Sequence, residues 1–109
     1  MPIRDEVNDL IEAGPFPSEE ASEEEVVETE RLLERVTPPV SDEEAQALVT
    51  VFGPDDCFGL SWSLLHLIET APGAQRAHYT ENRENAWVKL LNSRVEFGRK
   101  RDAGKGHKV

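Results

Sequence analysis

The sequence predicts an all-α domain of four to five helices, packed as a small bundle or a short helical-repeat-like arrangement. Three observations point there. Apolar residues recur at spacings of three and four in successive segments. Proline and glycine clusters separate those segments, and no two-residue turn flanked by alternating apolar residues signals a hairpin. At 109 residues, the chain fits one domain with a real core. The expected domain covers residues 1–98, with residues 1–17 as a short N-terminal helix and Pro/Gly linker. Residues 99–109 are expected to be a flexible basic tail.

Each element has its own signal. Ile3, Val7, Leu10 and Ile11 share one helical face, and Gly14, Pro15 and Pro17 stop it. Ser22 followed by Glu25 fits a capping box, and the stripe Val26, Thr29, Leu32, Leu33, Val36 runs to Pro38-Pro39. Ser41 and Glu44 form a second box, with Ala45, Leu48, Val49 and Phe52 on one face up to Gly53-Pro54. The β-branched run 48–52 also admits a strand, but the cap and spacing favour helix. Asp55 or Asp56 is expected to cap a fourth helix from about Cys57 to Thr70. That helix is apolar on most sides, as the buried centre of a bundle is. Thr80 is expected to cap a last helix from about Glu81 to Gly98, with Gly98 as the stop.

Charge narrows the function classes. The net charge is −10. Residues 1–56 hold 17 acidic against 3 basic side chains, whereas residues 57–109 hold 5 against 9. Such a surface repels nucleic acid and anionic membranes and favours a basic partner. No apolar run reaches the ~20 residues of a membrane helix, and the N-terminus has no signal-peptide core. A single cysteine, Cys57, forms no disulfide within the chain. The expected location is the cytoplasm.

Catalytic signatures are weak. His66 and Glu69, three apart, share a helical face and could begin a metal site, although a local hydrogen-bonding role for His66 is the commoner outcome. Cys57 follows two aspartates that raise its pKa and lacks a histidine base, so it reads as a small buried thiol. The glutamate run from Glu19 to Glu30 lacks the alternation and central glycine of a calcium loop. Gly59-Leu60-Ser61-Trp62-Ser63 lacks the final glycine of a nucleophile elbow. No catalytic, cofactor or metal residue is assigned.

Binding is the stronger expectation. The candidate partner-facing residues are Glu19, Glu20, Glu23, Glu24, Asp55, Asp56 and Tyr79. Tyr79, in the loop before the last helix, is expected to be the exposed aromatic anchor, and Trp62 and Trp87 to lie in the core. The acidic stretch Ser18–Glu34, the turn Asp55-Asp56 and the core helix Trp62–Glu69 together resemble the small all-helical immunity proteins that bacteria encode beside secreted toxins. The tyrosine-pair signature of the nuclease-colicin immunity proteins is absent. The resemblance implies a non-catalytic inhibitor of a basic protein, a toxin for instance, acting by steric and electrostatic block as a monomer or homodimer. The alternatives are a self-associating regulatory or scaffold protein and a metal-dependent enzyme using His66 and Glu69.

Overall fold

The structure, a computed structural model, describes residues 3–107, with side chains described as far as Gly98. The described residues form five α-helices and no strand: α1 (Asp5–Glu12), α2 (Glu23–Glu34), α3 (Asp42–Leu48), α4 (Leu60–Ile68) and α5 (Ala86–His107). Two 3₁₀ turns, Val49–Val51 and Ala74–Arg76, join them into a body of 53 × 30 × 20 Å. The chain is therefore all-α, as expected.

The N-terminal half follows its local signals. Ser22 Oγ accepts from the Glu25 N–H at 3.2 Å, and three glutamates occupy the first turn of α2, where the helix dipole favours negative charge. At α3 the capping box is complete. Ser41 Oγ accepts from the Glu44 N–H at 3.0 Å, and Glu44 Oε1 accepts from the Ser41 N–H at 2.8 Å. Gly14, at φ 88°, ends the turn after α1. The third helix is shorter than expected: it tightens at Val49 into the 3₁₀ turn, with Val49, Val51 and Phe52 all buried.

Glu44 then does more than cap. It is only 2% exposed, and its carboxylate also accepts from the Arg4 N–H at 3.0 Å, Arg4 Nε at 2.9 Å and Arg4 Nη2 at 3.2 Å. One carboxylate thus closes the start of α3 and fixes the chain entering α1. Burial alone would raise its pKa. The hydrogen bonds from Arg4 and the Ser41 backbone overcome that and hold it at about 2.

The core forms around α4. Leu64, Leu65 and Ile68 are fully buried with Val7 and Leu10 of α1, Leu48 of α3, and Val88 and Leu91 of α5. Residues 16 and 53 pass at backbone contact. The Phe16 N–H donates to Val51 O at 2.8 Å, and a Cβ on Gly53 would collide with Phe16 O. Only glycine fits that crossing.

Besides the end of α3, three helix boundaries differ from expectation. The fourth helix starts at Leu60, not Cys57, because Cys57, Phe58 and Gly59 adopt φ of 48°, 56° and 91°. The last helix starts at Ala86 rather than near Thr80. Asn82, at φ 56°, breaks the chain there and donates to Val49 O at 2.9 Å. Asn85 supplies the cap instead: its Oδ1 accepts from the Trp87 N–H at 2.8 Å while its Nδ2 donates to Gly53 O at 2.8 Å. At the far end the helical backbone continues through Gly98, the expected stop, to His107. The side chains of the basic segment 99–109 lie outside the described residues.

Candidate functional site: an acidic turn that displays an aromatic side chain

Two of the expected acidic residues meet each other across 36 positions of sequence. Asp55 Oδ2 accepts from the Glu19 N–H at 3.0 Å, and Asp55 Oδ1 accepts from the Cys57 N–H at 3.0 Å. Glu19 Oε2 in return accepts from the Phe58 N–H at 3.0 Å. The two carboxylates clamp the loop before α2 to the turn before α4. Ser61 Oγ closes the turn by donating to Asp55 O at 2.9 Å. Among the described residues no cation pairs with either carboxylate, so the clamp keeps its negative charge.

The clamp explains an unusual backbone. Two successive non-glycine residues, Cys57 and Phe58, stand in the left-handed region, which costs each on the order of 1 kcal/mol. Their N–H groups are the ones held by Asp55 and Glu19. The outcome is opposite for the two side chains. Cys57 is buried, and burial together with Asp55, Glu19 and Asp56 pushes its thiol pKa up, away from nucleophilic use. Phe58 is turned outward and is 66% exposed.

Trp62, in the first turn of α4, is 41% exposed. It stacks edge-on against Trp87 of α5, with ring centroids 5.2 Å apart, and lies 5.8 Å from the His66 ring. Trp87 stacks in turn on the buried Phe52 at 6.1 Å. Trp62 is therefore an exposed ring braced from within, rather than a core residue. Leu90, beyond Trp87 on α5, is also exposed.

The remaining expected residues divide. Glu20, Glu23 and Glu24 are exposed; the last two lie on the acidic face of α2, beside Val27, Glu28 and Arg31. Asp56 is half-buried, and its Oδ1 meets no hydrogen-bonding group of the described chain. Tyr79 is not an exposed anchor: it is 1% exposed. Asn92 of α5 brackets its peptide on both sides, accepting from Tyr79 N–H at 2.9 Å and donating to Tyr79 O at 3.0 Å, and this pins the loop onto the core. Burial, then the charges of Glu69 and Asp42, push the Tyr79 phenol pKa up to about 12.

His66 and Glu69 do not converge on a shared site. Glu69 accepts a two-pronged hydrogen bond from Arg94 of α5, at 2.7 Å from Nε and 2.9 Å from Nη2. The exposed His66 lies against Trp62 instead. Among the described residues no three metal-ligating side chains cluster. No helix among them is long and apolar enough to cross a membrane.

Phe58 is the residue that sequence reasoning missed. Its signal was present in Phe58-Gly59, since a glycine directly before an apolar helix permits a left-handed entry. Periodicity alone drew both residues into the helix. No protein-family model, curated protein or solved structure matches the chain.

Proposed function

We propose that the protein is a non-catalytic binding module that docks on a basic protein partner, in the manner of an inhibitor or immunity-type protein. The observation that carries this reading is Phe58. It is two-thirds exposed, held in an unfavourable backbone conformation, and supported by two unneutralised carboxylates. Backbone strain concentrates where a side chain is presented for use. An exposed aromatic is an energetically effective anchor. Trp62 extends the apolar contact, and Glu19, Glu20, Asp55 and Asp56 with the acidic face of α2 form a negative surround. The anchors set the lifetime of the complex, and the charge sets the encounter rate.

The test is capture from a native cell extract on immobilised protein, washed at low and then high salt, with Phe58→Ala in parallel. Retention of a basic protein by the wild type, its release as salt rises, and its loss with the variant support the reading. If the variant retains the same protein equally, Phe58 is not the anchor. If no protein is retained and the bait itself dimerises in light scattering, self-association through Trp62 and Leu90 replaces the reading.

A further inference from the structure

The chain between α1 and α2 has no hydrogen-bond donor to spare from Ala13 to Pro17. Ala13 and Gly14 donate back into α1, to Asp9 O at 3.1 Å and Ile11 O at 3.0 Å. Phe16 donates to Val51 O at 2.8 Å, and Pro15 and Pro17 have no N–H. This stretch forms one wall of a groove of about 310 Å³, and α2 forms the other. The buried Leu10 and Phe16, with the half-buried Leu32, give the groove an apolar floor.

The α2 wall is spent in the same way. The backbone N–H groups of Glu28, Thr29 and Leu32 lie within the helix ladder, and that of Glu25 goes to Ser22 Oγ. The Thr29 hydroxyl donates to Glu25 O at 2.9 Å. The exposed carboxylates of Glu25 and Glu28 remain, and they only accept. Among the described residues Glu25 pairs with no cation. Glu28 meets Arg31 at 3.7 Å, a contact between two mostly exposed side chains that contributes little. The groove thus combines an apolar floor, a negative rim and no free donor.

Its shape narrows the occupant. Ala13 and Pro15 on one rim, and Glu25 and Glu28 on the other, are exposed, so a small molecule seated there stays largely uncovered, whereas ligand pockets enclose most of their ligand. Pro17, in the lining, lies two residues from Glu19 of the clamp that holds Phe58. Of the twelve residues of α2 only Leu33 is buried, so little packing opposes a small shift of the helix as the groove fills.

We propose that this groove seats a short apolar-basic segment of a protein partner, with one aliphatic side chain against Leu10, Phe16 and Leu32 and flanking lysine or arginine residues facing Glu25 and Glu28. The flanking cations bring the donors and the positive charge that the groove lacks, and an acidic segment meets only like charge. The proposal rests on the basic partner proposed above and names the part of it that docks here.

The test is an amide NMR titration of the full chain with an acetylated, amidated pentapeptide of sequence GKLKG, against GELEG and GKSKG at equal ionic strength. Saturable shifts at Ala13, Gly14, Thr29 and Leu32 are expected with GKLKG and not with GELEG. GKSKG should bind about tenfold more weakly, since it buries no aliphatic side chain. Ala13 has ordinary helical backbone at φ −67°, so it accepts a larger side chain, and Ala13→Phe should fill the groove and abolish saturation. Glu25→Gln with Glu28→Gln should weaken GKLKG about fivefold at low salt, a difference that closes as salt rises. No saturable shift, equal shifts with GELEG, or unchanged affinity in a folded Ala13→Phe protein overturns the proposal. Isopentylammonium that binds as tightly as the peptide makes this a free-amine site, and the same shifts on concentrating the protein alone make the occupant a second copy; either result overturns it. A basic protein captured equally well by Ala13→Phe defeats the groove proposal and leaves the partner reading standing. GKLKG binding without any basic protein captured from extract defeats the partner reading and leaves the groove its chemistry.

Discussion

Two carboxylate-built junctions hold this molecule, and they do opposite things. At the N-terminal junction, Glu44 faces inward and meets a cation, Arg4, together with the backbone N–H groups of Arg4 and Ser41. At the turn before α4, Glu19 and Asp55 accept only backbone N–H groups. Both satisfy donors that would otherwise be unpaired. Only the first neutralises its charge, and only the first is buried. The inward junction therefore contributes stability, and the outward one contributes shape while leaving negative charge for a partner. A count of acidic residues does not separate these roles. The counter-ion and the depth of burial do.

That contrast can be broken at four points. The largest effect is expected at Glu44. Glu44→Ala strands Arg4 and removes half of the α3 capping box, and should cost about 3 kcal/mol in urea unfolding. Its folded pKa of about 2 lies below the ordinary carboxylate value of about 4.3. Stability from this group is fully present above the ordinary value and is lost as pH falls from about 4.5 towards 2. Unfolding measured against pH should show that loss in the wild type, with the slope reduced in Glu44→Gln. An unchanged slope would move the acid sensitivity elsewhere.

The next effect concerns the outward junction. Phe58→Ala should leave stability within about 0.5 kcal/mol, since the ring is exposed, and weaken partner binding by about 2 kcal/mol, roughly thirtyfold. Calorimetry with the captured partner reads both quantities, and a variant that loses stability but binds with unchanged affinity would reverse the two roles. Glu19→Gln is expected to cost less, about 1 kcal/mol or under, because the amide oxygen still accepts from Phe58. Hydrogen exchange at the Phe58 amide should quicken while the Arg4–Glu44 region stays protected. The smallest effect is expected on α2, where Glu23→Lys with Glu24→Lys should slow association severalfold at low salt and leave stability nearly unchanged. An on-rate indifferent to salt would remove the acidic face from the encounter.

Local signals in the sequence reached far into the fold. The Ser22 and Ser41 caps, the glycine stop after α1 and the apolar α4 all rest on interactions within a few residues, which spacing and side-chain type reveal. The candidate site was half legible. Glu19 and Asp55 stood out as acidic residues beside turns, but the bonds that join them connect distant positions. Phe58 was drawn into the helix and the exposures of Tyr79 and Trp62 were read the wrong way round, because local pattern does not record which neighbours cover an aromatic. Asn92, a residue without a sequence signal, pins the Tyr79 backbone; Glu19 holds the Phe58 N–H.

The sequence by itself determined the all-helical class, the segment order, the N-terminal caps and the excess of negative charge in residues 1–56. These follow from period, punctuation and composition, each readable over a few adjacent residues. The tertiary structure alone decided which carboxylate gains a cation, which aromatic reaches solvent and where α4 and α5 begin. Those outcomes depend on hydrogen bonds spanning about 30 to 40 positions, from Asn85 to Gly53, from Glu19 to Phe58 and from Arg4 to Glu44. A contact at that range is set by how the helices pack, and local pattern carries no record of it.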